Sequence, residues 1–295
     1  VKLRSIELNL PQIDAAAAFL TDTWGAMEAE RSPQAIYVRG SGVCPYLVGL
    51  FEHPERSVRS LTFTCDGSEF EQLKSRIEVS GRPYHEVSST DPGGGYGLEV
   101  ELPEGEIFRF LVGSTSVPRI EGKDLPHQLT HVVLSATDAE ASGQFTEQVL
   151  GFKVSDRTKG MVFVRCNRTH HSIAFARAGY SSLNHIAFEM QDIEAVMRGI
   201  GRLRDERMTP VWGPGRHGPG NNVFAYFIAP FGAVVEFSTA TIEVQEDYRT
   251  GTPEDWTWPP NRIDQWGISD KDVKTIVQAE KNFRFKRYWA TSSET

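Results

Sequence analysis

The stretch GPGRHGPGNNVFAYFIAPFGAVVEFS, Gly213–Ser238, decides the fold. It opens as a glycine- and proline-rich loop carrying Arg216 and His217. The run Val223–Ile228 follows as a strand and contains Tyr226. Pro230-Phe231-Gly232 reverses the chain, and Ala233–Phe237 returns as a second strand. One acid, Glu236, stands inside the apolar run VVEF. A carboxylate in a strand core is costly without a cationic or hydrogen-bonding partner, so Glu236 either leaves the core face or meets a cation.

Working outward, the same plan recurs four times. LRSIELNL from Leu3, VRSLTFTC from Val58, LTHVVLSA from Leu129 and LNHIAFEM from Leu183 each open a segment as a strand. A helical stripe follows each one: Ala17, Leu20 and Trp24; Phe70, Leu73 and Ile77; Phe145 and Val149; then Ile193, Val196, Met197, Ile200 and Leu203. Internal repeats of this kind describe architecture before any single motif does. The expected fold class is α+β: four βαβββ modules paired into two barrel-like domains, helices outside, with inner faces free to line a cavity. The expected boundaries are residues 1–114 for the first pair, 115–128 for a linker, 129–245 for the second pair and 246–295 for a tail packing on it.

The repeat supplies an internal control. Ser5, Ser60, His131 and His185 fall in one column of the opening strands. LPEGEIFRF (Leu102–Phe110) lies over APFGAVVEF (Ala229–Phe237), which sets Arg109 opposite Glu236. Two histidines and a glutamate thus stand in the second half where the first has two serines and an arginine. Positions needed only for folding would show similar chemistry in both copies. Alternation puts His131 on one strand face with Val133 and Ser135, and Glu236 with Val234 and Ser238. Two imidazoles and one carboxylate converging on a cavity form the facial triad suited to non-haem Fe(II), although ligand type alone leaves Zn(II) open. A lone strand histidine is more often a packing or surface residue; two at equivalent repeat positions, with a lone carboxylate on the closing strand, weaken that reading sharply.

Composition narrows the rest. The chain has 295 residues, a net charge of -8, 39% hydrophobic and 24% charged residues. The acidic balance argues against nucleic acid and anionic membrane as partners. No apolar run approaches the length of a membrane span, and the first residues carry no basic-then-apolar leader pattern. Cys44, Cys65 and Cys166 form no CxxC pair, so all three are expected as buried packing residues in a reducing cytoplasm. The glycine-rich run Asp91–Gly97 precedes a strand and reads as a hairpin loop rather than a phosphate cradle.

Further candidates gather near the triad. CNRTHHSIAF places His170 and His171 side by side on an expected strand, where alternation turns only one inward. Tyr226 and Glu236 lie ten residues apart across a turn, close enough in a hairpin to face one site. His217 sits nine residues before Tyr226, and Trp212 five before His217. A core tyrosine and a solvated loop histidine are the plain alternatives for Tyr226 and His217.

LTHVVL, CNRTHHSIAF, LNHIAFE, GPGRHG, Tyr226 and the Glu236 strand resemble the two-domain type I extradiol ring-cleavage dioxygenases of the vicinal-oxygen-chelate (glyoxalase/bleomycin-resistance/dioxygenase) superfamily. The resemblance covers roughly Leu3 to Val244. It implies Fe(II), or less often Mn(II), bound by His131, His185 and Glu236. It assigns the acid-base histidine to His171, because Ser-Ile-Ala-Phe sets the frame, and substrate-side roles to His217 and Tyr226. Trp212 stands where some relatives that cleave acid-bearing catechols carry arginine, which points to an apolar or bicyclic catechol of the 2,3-dihydroxybiphenyl type; structural packing is the equal alternative for Trp212. The implied reaction inserts both atoms of O2 beside the two hydroxyls of the catechol. A homo-oligomer is the expected assembly. The alternatives are a glyoxalase-like metalloenzyme and a non-catalytic binder of aromatic or antibiotic ligands. The tail holds Trp256, Trp258, Trp266 and Trp289; it either lends a wall to the cavity mouth or packs as an ordinary contact. The last residues, TSSET, are expected to be disordered.

Overall fold

A computed structural model describes residues 1–285 apart from Lys123 and Asn261. Trp289, expected with the other tail tryptophans, and the terminal TSSET, expected to be disordered, lie outside the described residues. Four βαβββ modules follow one another. The first two contain β1 (Lys2–Leu10), α1 (Ile13–Ala18), β2 (Met27–Arg31), β3 (Ala35–Arg39), β4 (Val48–Glu52), β5 (Ser57–Thr64), α2 (Gly67–Ser80), β6 (Tyr84–Ser88), β7 (Tyr96–Glu101) and β8 (Ile107–Val112). The second two contain β9 (Gln128–Ala136), α3 (Ala139–Phe145), β10 (Lys153–Arg157), β11 (Met161–Arg165), β12 (Ile173–Arg177), β13 (Ser182–Glu189), α4 (Ile193–Asp205), β14 (Trp212–Arg216), β15 (Val223–Ile228) and β16 (Val234–Thr239). A tail helix, α5 (Val273–Glu280), comes last among the described helices of α type.

Each pair of modules makes one eight-stranded sheet, ordered β2-β3-β4-β1-β5-β8-β7-β6 and β10-β11-β12-β9-β13-β16-β15-β14. This is the expected α+β arrangement. The registers reproduce the repeat. Ser5 pairs with Thr62 and Ser60 with Glu7 in the first sheet; His131 pairs with Ala187 and His185 with Val133 in the second. Thr62 lies beside Arg109, and Ala187 beside Glu236, across the matching parallel pairs. A one-residue slip would turn these side chains to the opposite face.

Local chemistry explains the helices. Asp66 caps α2 and Glu69 returns the bond to the Asp66 amide, a capping box that satisfies two otherwise orphaned donors. In α4 the buried face is Ala195, Val196, Gly199, Ile200 and Leu203. Ile193 and Met197, expected on that stripe, are exposed. The correction has a steric cause: the face turns so that Gly199 meets the Phe237 ring, where an added Cβ would lie 2.8 Å from a ring carbon.

The two halves share one hydrophobic core. Trp24, from the segment after α1, is fully buried and stacks on Phe237 of β16, ring centroids 3.7 Å apart; Phe188 and Phe227 meet it edge-on. Trp24→Ala is expected to destabilise the whole chain by about 3–4 kcal/mol, read as a shift of one cooperative denaturant transition. Loss of only a first-half transition would contradict the shared core.

Two sequence expectations are corrected in the second half. The glycine- and proline-rich loop carrying Arg216 is strand β14, at the edge of the sheet. An edge position tolerates proline, and the register shift between Trp212 and Gly215 absorbs the irregular residues. His217 lies just beyond its end. His170 and His171 precede β12 rather than lying on it. Their segment is tied instead to the stretch just after β16, through the His170 amide to the Ile242 carbonyl.

Candidate metal centre and active-site cavity

Three adjacent strands bring His131 (β9), His185 (β13) and Glu236 (β16) together; the two histidines line a cavity of about 390 Å³, and Glu236, fully buried, lies within 3.3 Å of both. All three are buried, and their ligand atoms lie within 4.8 Å of one another; they are the metal-competent His/Cys/Asp/Glu group found among the described residues. Glu236 Oε2 is 3.3 Å from His131 Nε2 and 3.1 Å from His185 Nε2. It nevertheless accepts a well-directed hydrogen bond from neither ring. An orphaned carboxylate oxygen, fully buried beside two imidazole nitrogens, is what a cation-binding donor set looks like. The donor types fit Fe(II) or Mn(II), and two imidazoles disfavour Mg(II) or Ca(II).

The surrounding bonds orient the donors. His185 Nδ1 meets Asn184 Oδ1 at 2.8 Å. Because a carbonyl oxygen only accepts, the proton sits on Nδ1 and Nε2 is left as a lone-pair donor. Asn184 donates in turn to Ser135 Oγ, which donates to Glu280. Asn222 donates to Glu236 Oε1 and to Ser238 Oγ. Asn222, Asn184 and Glu280 escape a reading of the sequence; Asn184 alone carries a signal there, as the neighbour of His185.

Electrostatics keep Glu236 and His185 in their ligand forms. Burial raises the Glu236 carboxyl, but the two adjacent imidazoles outweigh it and hold the group far below the usual carboxylate range. Burial lowers the His185 imidazole, with Glu236 opposing. His217 is pushed down to about 3, chiefly by burial, and His171 lies well below the ordinary histidine value for the same reason. Burial, reinforced by Glu236, holds the Tyr226 phenol protonated.

Tyr226 pairs directly with Glu236 across the β15–β16 hairpin. Its hydroxyl is 3.0 Å from His217 Nε2 and 3.4 Å from His185 Nε2. His171 lines the cavity with its ring 4.3 Å from that of His131; His170 lies behind it, outside the cavity wall. Trp212 stacks on Tyr226, and the Lys271 ammonium sits 4.1 Å over the Trp212 ring. Trp256, Trp258, Ile263 and Ile276 of the tail also face the cavity. The tail therefore supplies wall, the reading that ordinary packing had rivalled.

The first half has no such cavity chemistry. Glu7 is fully buried at the position equivalent to Val133. It accepts from Ser5, Tyr46, Ser60 and Thr62 at 2.7–2.9 Å, and Arg109 bridges it at 3.3 Å. Asp91, from the expected hairpin loop, closes the network on Arg109 at 2.8 Å. The guanidinium stands where the second half gathers its ligand atoms.

Paired βαβββ modules with a buried His-His-Glu set in one member define the class of fold and site. The Glyoxalase/Bleomycin resistance protein/Dioxygenase superfamily profile matches residues 128–237, the half that holds the triad. Metapyrocatechase 2 of Cupriavidus necator is 25% identical over 292 residues, covering 88% of this chain and 87% of that protein. The iron-dependent extradiol dioxygenase of Rhodococcus jostii is 25% identical, covering 76% and 83%. The Mn(II)-bound glyoxalase of Novosphingobium aromaticivorans superposes with a TM-score of 0.85 at 30% identity, covering 93% of each chain. The chain belongs to the glyoxalase/bleomycin resistance protein/dioxygenase superfamily, and its curated relatives of near-full length are extradiol dioxygenases, which are oxidoreductases. No helix among the described residues is long and apolar enough to cross a membrane.

Proposed function

We propose that the chain cleaves a catechol beside its two hydroxyls with dioxygen, using Fe(II) held by His131, His185 and Glu236. The supporting observation is the gathering of His171, His217 and Tyr226 around the same buried triad. Iron bound there supplies a chelation point for both catechol oxygens and a path for electrons between ring and dioxygen.

The side chains define the remaining work. His171, neutral by burial, receives a proton from a catechol hydroxyl and can return it later in the cycle. Tyr226 keeps its phenol proton and donates to developing negative charge on a substrate oxygen, while His217 orients that hydroxyl. Trp212, Phe163, Met161 and the tail tryptophans exclude water and favour an apolar or bicyclic catechol. The first-half pair, residues 1–114, serves as scaffold for the catalytic pair, residues 129–245. Self-association of such paired modules and a cytoplasmic setting complete the proposal.

One relative is named a glyoxalase and carries Mn(II), which keeps a glyoxalase-like reaction as the second reading. The extra acid-base set of His171, His217 and Tyr226 favours ring cleavage. The test is anaerobic purification, metal quantification, then oxygen uptake with a panel including catechol and 2,3-dihydroxybiphenyl. A yellow ring-opened product is expected. An iron-loaded protein that consumes no oxygen with any catechol overturns the proposal. His171→Ala should keep its iron and lose about a hundredfold in kcat; loss of iron would instead count His171 among the ligands.

A further inference from the structure

Behind His171 lies a fully buried chain of polar groups that the proposed reaction has not used. His171 Nδ1 is 3.0 Å from His170 Nδ1, and His170 Nε2 is 2.8 Å from Asp156 Oδ2. Asp156 and His170 have no exposed surface at all. Asp156 Oδ1 accepts from the Gly251 amide at 2.8 Å, and the Tyr248 hydroxyl reaches the two carboxylate oxygens at 3.3 and 3.5 Å. We propose that Asp156 and His170 are positioning residues that fix His171 in one tautomer, its proton on Nδ1 and a bare Nε2 facing the cavity, and that the segment after β16 locks them in place.

The direction of the chain follows from donor and acceptor counting. A carboxylate only accepts, so His170 carries its proton on Nε2. A His170 ring holding that one proton offers a lone pair at Nδ1, and the short contact with His171 is then a hydrogen bond in which His171 donates from its own Nδ1. His171 Nε2 is therefore left without a proton. When a catechol O–H bond breaks, its electron pair stays on the catechol oxygen and the proton forms a new N–H bond at His171 Nε2. The imidazolium keeps its Nδ1–H on His170, and the Asp156 carboxylate balances the charge through that ring. A carboxylate held behind an imidazole orients it in this way without itself taking the proton.

The packing leaves the device no slack. Gly220, at φ +76, has its backbone against both rings: a Cβ there would lie 2.9 Å from His171 Cε1 and 3.3 Å from His170 Nδ1. At Gly251 a Cβ would lie 2.5 Å from Asp156 Oδ1. Burial, then the carboxylate beside it, push the Tyr248 phenol up to about 12, so it remains a donor. The tail thus acts on the cavity twice, as wall through its tryptophans and as clamp through Tyr248 and Gly251.

The isosteric variant Asp156→Asn turns this into a test. The Gly251 amide still requires an oxygen at the Oδ1 position, so the new NH2 must face His170 Nε2. That donor reverses every bond in the chain and leaves His171 with its proton on Nε2. Histidine 15N spectra of the full chain, loaded with diamagnetic Zn(II), should show His171 protonated on Nδ1 in the wild type and on Nε2 in the variant. The consequence for turnover rests on the dioxygenase reading: kcat should fall about a hundredfold, with KM and iron content within twofold of wild type. An unchanged tautomer, or a loss of kcat accompanied by a raised KM and lost iron, overturns the proposal. If the wild type cleaves no catechol, the dioxygenase reading fails and the tautomer measurement alone decides this one. Should Asp156→Asn not fold, His170→Phe carries the test: both His171 tautomers should appear and kcat should drop at constant KM, while a single Nδ1-protonated tautomer or an unchanged kcat overturns it.

Discussion

Glu236→Gln is expected to abolish stoichiometric metal binding and lower kcat/KM by at least about a thousandfold, since even residues that only support a ligand alter metal affinity by about 10–100-fold. The carboxylate supplies the single negative charge of the set, and its Oε2 lies 3.1–3.3 Å from both imidazole nitrogens without a directed hydrogen bond to either. The amide keeps the shape and the bond from Asn222 to the other oxygen, so the fold should survive. A metal that binds only the folded state raises stability by mass action. Wild-type protein should therefore melt at a higher temperature as Fe(II) is added anaerobically, while the variant's melting temperature stays flat. Full iron occupancy in Glu236→Gln would remove Glu236 from the ligand set.

The same register filled two ways shows why the site occupies one half only. In the second half Ala187 and Val133 leave room beside His131, His185 and Glu236. In the first half Thr62 and Glu7 occupy those places, and Arg109 bridges Glu7 and Asp91. A buried carboxylate and guanidinium that satisfy each other within hydrogen-bond distance need no external cation. One copy balances its buried charge internally; the other presents an acid whose balance must come from outside.

The duplicated pattern made the fold and the ligand column readable. Period-two alternation set the faces, and equal spacings in the two halves set the register, so His131, His185 and Glu236 could be named before any coordinates. Tyr226 followed from hairpin geometry. What escaped was chemistry carried by distant or irregular segments. Asp156 and Tyr248 are separated by 92 positions and meet beside His170 only because the tail returns over β10. Glu7 lies in an alternating strand, where an acid reads as solvent-facing. Gly213-Pro214-Gly215 reads as loop because glycine and proline mark turns, yet an edge strand accommodates both. Lys271 has no motif around it, although it places a cation over Trp212, the residue read as pointing to an apolar catechol.

Glu106 is a buried acid with no side-chain partner among the described residues, and its removal should be stabilising. It sits in the β7–β8 turn, fully buried, with no directed hydrogen bond to either carboxylate oxygen; Ala233 holds the equivalent place in the second half. Burial raises it from 4.5 to about 8; the nearby backbone amides of Glu106 and Glu104 offset only part of this, and the Glu104 and Glu101 charges add to the rise. The folded state therefore holds a proton there that the unfolded chain releases above its ordinary carboxylate value. Stability from this group is fully present below about pH 4.5 and is lost as pH rises to about 8. At about 1.4 kcal/mol per unit, the loss amounts to roughly 5 kcal/mol across that window. Glu106→Gln keeps the shape and never ionises. Its unfolding free energy should match wild type near pH 4.5 and exceed it progressively toward pH 8, by several kcal/mol. Denaturant unfolding at half-unit pH steps measures the difference, and parallel curves for the two proteins would show that the carboxyl finds in the folded chain the partner its burial denies it.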